Sequence, residues 1–224
     1  MKTFPGIIFL CFFFCCCTSG NKSLTEQAAS ASGTVVSKDT GTISTTREAP
    51  SVKQIGIEIL PYDDLSTERS KYIYTRLKAI FTDVILKETV PLPESAYYPA
   101  RNRYRADKLI RQLSSQTTPG SVTLALTSKD ISTTYGSYED WGIMGLSYCP
   151  GKACIASTFR LSKRNTDEQF FKVAIHEFGH TQGLGHCPEK TCLMRDAKGK
   201  NTTDDEKDFC PKCKEKLVKA GWAI

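Results

Sequence analysis

His176-Glu177-Phe178-Gly179-His180-Thr181-Gln182-Gly183-Leu184-Gly185-His186 contains every histidine of the 224-residue chain. The pattern is HExxHxxGxxH. On a helix of 3.6 residues per turn, His176 and His180 lie one turn apart on the same face. Both imidazoles can then reach one metal ion at roughly 2.0–2.1 Å. Glu177 shares the turn but points elsewhere, close enough to act on a water at the metal without ligating it. Gly183 takes positive φ at no Cβ cost, so it can end the helix and turn the chain back. His186 then arrives from outside the helix as a third ligand. Three protein ligands leave one tetrahedral position open, which separates a catalytic zinc from a structural one. The stretch predicts a zinc hydrolase with Glu177 as general base. A chance HExxH on an exposed helix is the competing reading, and the glycine and third histidine at fixed offsets count against it.

Downstream the chain reads Cys187-Pro-Glu-Lys-Thr-Cys192-Leu-Met194, then Cys210-Pro-Lys-Cys213. The Cys-x-x-Cys knuckle can place two thiolates on one metal, and Cys187 and Cys192 can supply two more. Four thiolates leave no room for water, so such a site is structural. A pair of disulfides, open to an exported chain, is the alternative.

From His176 to Cys213 the sequence resembles the archaemetzincins, a metzincin-type zinc peptidase family with the pattern HExxHxxGxxHC, Cx₄C, a nearby Met and CxxC. Met194 occupies the family's Met-turn position. Arg103-Tyr104-Arg105-Ala106, Lys129-Asp130-Ile131 and Ala156-Ser157-Thr158-Phe159-Arg160-Leu161 extend the likeness over about residues 100–213. The resemblance implies an α/β (α+β) zincin domain whose mixed sheet backs the metal helix, with a Cys₄ zinc-bound C-terminal lobe. It further implies two Zn²⁺ per chain and a peptide or protein substrate. It favours zinc over disulfides at Cys187, Cys192, Cys210 and Cys213. Because Cys187 follows His186 directly, across ~3.8 Å between Cα atoms, the two metals lie roughly 10–13 Å apart once ligand lengths are added. The structural zinc then anchors the segment that carries the third catalytic ligand.

At the amino end, Lys2 precedes an apolar run over residues 5–17. Thirteen residues are too few to span a bilayer, which needs about 20, but they suit the core of a signal peptide. Cys15, Cys16 and Cys17 resemble a bacterial lipoprotein cleavage region. That predicts an exported protein on a lipid anchor, and cleavage after Gly20 to release a soluble species is the alternative. Residues 18–52 hold fourteen Ser or Thr and no aromatic residue, which reads as a disordered tether. Residues 53–224 suit one compact catalytic domain, expected to be monomeric. Cys149 and Cys154, flanking a Pro-Gly turn, can pair as a disulfide in an oxidising compartment.

The net charge of +6 is too modest to indicate nucleic-acid binding. The densest basic stretch, Arg101, Arg103, Arg105, Lys108 and Arg111, reads as a solvated helix face. Expected elements are a strand over 54–60, a long helix over 66–87 and a second helix over 104–116. A buried strand follows at 122–126, then strands over 141–148 and 153–159, the metal helix over 166–182, and a last helix through Leu217 and Val218. The 142–148 segment is the first candidate for pairing with an extended substrate. Two other functions fit the same residues: a zinc amidase acting on non-peptide material, and a zinc-stabilised binding module. The intact Glu177 counts against the latter, since ligation alone needs no carboxylate there.

Overall fold

A computed structural model describes residues 55–222 and residue 224. The signal segment and tether, with Cys15, Cys16 and Cys17, lie outside the described residues. A five-stranded sheet holds β1 (Gly56–Pro61), β2 (Val84–Leu86), β5 (Ser121–Thr127), β8 (Gly145–Ser147) and β9 (Ala153–Ser157), in the order β2-β1-β5-β9-β8. The first four strands run parallel, and β8 pairs antiparallel on the outer side of β9. A second, four-stranded sheet has the order β3-β4-β6-β7: β3 (Tyr97–Tyr98), β4 (Arg103–Arg105), β6 (Ile131–Tyr135) and β7 (Tyr138–Ile143).

Alternation along β5 and β9 sorts the core into two layers. Val122, Leu124 and Leu126, with Cys154 and Ala156, face one cluster, which holds α1 (Thr67–Lys78) and α3 (Thr166–Thr181). Ala125, Ala153 and Ile155 face the other, against Leu109, Ile110 and Leu113 of α2 (Ala106–Gln116). Strands buried on both faces must be apolar at every position, and β9 is buried throughout. The mixed α/β layout is the one expected.

Several boundaries moved. The apolar repeat Ile73, Leu77, Ile80, Val84 does not continue one helix to residue 87: α1 stops at Lys78, and Val84 faces the core from β2, paired with Ile57. β-branched residues at 84 and 85 gain more from a parallel ladder than from another helical turn. The predicted 141–148 strand is two strands in different sheets, β7 and β8, with Met144 between them. Residues 103–105 precede α2 as β4, which pairs with β6 through Tyr104 and Ile131.

Two further expectations are corrected. Arg103 and Arg105 do not lie on a solvated helix face. Arg103 is 13% exposed and forms ion pairs with Asp130 (3.1 Å) and Asp140 (3.2 Å). Arg105 donates to the Thr134 hydroxyl at 2.8 Å and to the Glu139 carbonyl. Alternation on a strand turns both side chains toward partners on β6 and β7. Nor do Cys149 and Cys154 join: Cys154 is a buried thiol in β9, and the Cys149 thiol donates to the Leu184 carbonyl (3.4 Å). No helix among the described residues is long and apolar enough to cross a membrane.

Candidate metal centre

The centre is built on α3, which presents Phe170, Ala174 and Phe178 to the core and turns His176 and His180 to its rim. The Nδ1 atoms of these histidines lie 2.6 Å from the carbonyls of Leu193 and Leu184. A carbonyl only accepts, so Nδ1 carries the proton in each ring and Nε2 the lone pair. The two Nε2 atoms then face each other at 3.0 Å. Two lone pairs so close repel unless a cation lies between them, and two nitrogens on one tetrahedral zinc stand roughly 3.3 Å apart. Burial, with the charge of His180 adding to it, lowers His176 to about 3, and burial lowers His180 to about 4. Both rings are therefore neutral and open to a metal.

The third histidine comes in as its spacing requires. Gly183 has φ +86°, and its N–H bonds the His180 carbonyl at 2.8 Å as the helix ends. Leu184 is buried and pins the turn. The His186 ring then stands 4.8 Å from that of His180 and 5.5 Å from that of His176. One ligand atom from each of the three lies within 4.8 Å of the others.

Glu177 follows His176 on α3 and is 7% exposed. Its Oε2 accepts from Ser147 Oγ at 2.7 Å. Its other oxygen lies against β8: a Cβ at Gly145 would stand 2.5 Å from Glu177 Cγ and Oε1. Burial raises the carboxyl to about 7, against the opposing effect of the Ser147 hydroxyl.

The four cysteines form a second cluster, with one sulfur of each within 4.8 Å of the rest. None is in a disulfide. Cys187 and Cys210 stand 3.7 Å apart, far beyond a ~2.05 Å S–S bond and close to the roughly 3.8 Å between sulfurs of a tetrahedral zinc. Cys210 caps α4 (Pro211–Lys219) and Cys213 lies in its first turn. The clusters are bridged by three residues. The Cys192 sulfur receives the N–H groups of Met194 and Cys210, the Leu193 carbonyl orients His176, and the Met194 carbonyl takes the Cys187 N–H at 2.7 Å. Met194 is buried beneath α3, and a Cβ at Gly179 would come within 2.8 Å of its sulfur.

Residues 90–219 match the sequence profile of Peptidase family M54. The chain belongs to this family. The archaemetzincin of Natronomonas pharaonis is 28% identical over 176 residues, covering 72% of this chain and 99% of its own. That of Halobacterium salinarum is 28% identical over 138 residues, covering 56% and 77%. Among solved structures, the archaemetzincin of Archaeoglobus fulgidus, complexed with malonate, is 27% identical with a TM-score of 0.63, over 72% of this chain and 99% of that one. That of Methanopyrus kandleri is 25% identical with a TM-score of 0.64, over 77% and 98%. This M54 chain is a zinc metallopeptidase, a hydrolase of peptide bonds.

The M54 structure brings the three histidines together and the four cysteines together, and it buries Glu177 on the same helix as His176 and His180. It adds what spacing could not show. Ser147, Gly145 and the carbonyls of Leu184 and Leu193 hold the centre from other elements. Ser147 fell within the candidate 142–148 segment, but nothing in its neighbourhood marked it. The backbone carbonyls leave no signal in side-chain identity at all.

Proposed function

We propose that His176, His180 and His186 hold a catalytic zinc, that Glu177 is the general base, and that Cys187, Cys192, Cys210 and Cys213 hold a second, structural zinc. The observation that carries this reading is the pair of Nε2 atoms facing each other at 3.0 Å on the helix that also carries the buried Glu177 carboxyl. Zinc, when bound, supplies Lewis acidity to a substrate carbonyl and makes water more acidic. Glu177, with a proton affinity near neutrality, accepts a proton from the attacking water and returns it to the leaving amine. Ser147 holds one carboxylate oxygen, so the other is left for that exchange. The substrate pairs as an extended strand with β8, which ends the five-stranded sheet and lies directly over Glu177. Backbone pairing at a sheet edge holds a peptide without regard to its sequence.

The test is hydrolysis of a mixed peptide library by the natural chain and by Glu177→Ala, with zinc counted in both. General-base removal costs ~10²–10⁴-fold in rate, and two zincs should remain. Near-natural turnover by Glu177→Ala would overturn the mechanism. One zinc per natural chain, with the four cysteines oxidised, would overturn the second site.

A further inference from the structure

The hairpin of β6 and β7 carries three aromatic side chains with no part in the centre described above. Tyr135 and Tyr138 are 65% and 60% exposed, and Trp141 is 36% exposed. Their rings form one patch, with Trp141 5.7 Å from Tyr135 and 5.5 Å from Tyr138. Asp140, between them in sequence, turns the other way into its ion pair with Arg103. Contiguous exposed aromatics of this kind mark binding surfaces more often than chance.

Two stretches of chain join Trp141 to α3. One runs from Gly145, against Glu177, back to Trp141, and four residues reach at most ~14 Å. The other runs from Met194, against Gly179, to Gly199, where a Cβ would stand 3.0 Å from Trp141 Cζ2. Both start at residues packed on the helix that carries Glu177. A peptide paired along β8 and continued toward β7 reaches the rings about three to four residues from the bond at the centre, at ~3.3 Å per residue. The rings offer flat apolar faces, and Lys198 and Lys200 flank Gly199, which disfavours a cationic side chain there.

We propose that Trp141, with Tyr135 and Tyr138, is a specificity platform that takes an aromatic or large aliphatic side chain of the substrate a few residues from the cleaved bond. This rests on the peptidase reading and on β8 as the substrate strand. Binding can be measured without turnover in the zinc-loaded Glu177→Ala protein. Three capped hexapeptides serve as probes in calorimetry: one of alanines alone, one with two central phenylalanines and one with two central arginines. The phenylalanine peptide should bind at least tenfold more tightly than the other two. Adding Trp141→Ala should shrink that preference below threefold. Tyr138→Ser, whose ring does not support Gly199, should reduce it several-fold and so covers the case in which Trp141→Ala disturbs the 195–199 loop. Equal binding of the phenylalanine and alanine peptides, an arginine preference, or a phenylalanine preference kept by both ring variants would overturn the platform. A ring-dependent preference in a protein whose natural form cleaves no peptide would uphold the platform and count against the catalytic reading instead.

Discussion

Ser147 Oγ donates to Glu177 Oε2 at 2.7 Å across 30 residues of sequence. The contact joins the edge strand that would carry substrate to the carboxyl that would move the proton. A hydrogen bond to an ionised group contributes about 1.5–3 kcal/mol, so Ser147→Ala should lower kcat by roughly ten- to a hundredfold. Zinc content and KM for a peptide should change little, and Ser147→Thr should recover most of the rate. A rise in KM together with a loss of zinc affinity would show that Ser147 supports the scaffold and not the carboxyl.

Gly145→Ala tests the same contact from the other side. A methyl group 2.5 Å from Glu177 Cγ and Oε1 must push the carboxyl aside. Activity should fall nearly as far as in Glu177→Ala, with both zincs retained. Thermal denaturation should shift by no more than an overpacked core substitution does, ~1–3 kcal/mol. An active Gly145→Ala enzyme would mean that Glu177 works from a different rotamer.

Cys210→Ser should act at a distance. It opens the four-sulfur cluster, and the bonds from Cys192, Leu193 and Met194 carry the change to His176 and Cys187. Losing one ligand of a structural zinc site should lower the melting temperature and release that zinc first. The histidine zinc should then bind at least tenfold more weakly, as when a group that orients a ligand is removed. Elemental analysis during stepwise chelation checks the order of loss. Independent behaviour of the two zincs would show that the bridge transmits nothing.

Acid stability should depend on the junction of α1 and α3. The Arg76 guanidinium, 2.6 Å from Glu168, holds that carboxyl below its ordinary value against partial burial. A depressed carboxyl stabilises the fold fully above its unfolded value of about 4.3 and loses that contribution as pH falls through the folded value. Both partners are more than a third exposed, so the pair contributes about 0–1 kcal/mol. Glu168→Gln should be slightly less stable than the natural chain at pH 7. The gap should close below pH ~4, and urea unfolding of both proteins across that range measures it. A gap that widens in acid would refute the assignment.

Local spacing made much of the centre legible before any fold was known. Residues four apart on one helix must share a face, so His176 and His180 were paired by covalent geometry, with Glu177 beside them. A glycine free to take positive φ brought His186 back by the same logic. The cysteine knuckle at 210–213 depends on no distant element either. Long-range pairing decided the rest. α1 ends at Lys78 because Val84 finds Ile57 on β1, a choice that helical periodicity cannot anticipate. Arg103 and Arg105 are half-buried because β4 meets β6 and brings Asp130 and Thr134 to them. Ser147 reaches Glu177 only once β8 is aligned beside β9, and Trp141 is carried to Gly199 by β7, which pairs with β6 in the other sheet. Which atoms can hold metal was readable from spacing alone, since ligand chemistry and helical pitch are local. What surrounds them was not, because register, sheet order and the placing of backbone carbonyls depend on contacts between segments far apart in the chain.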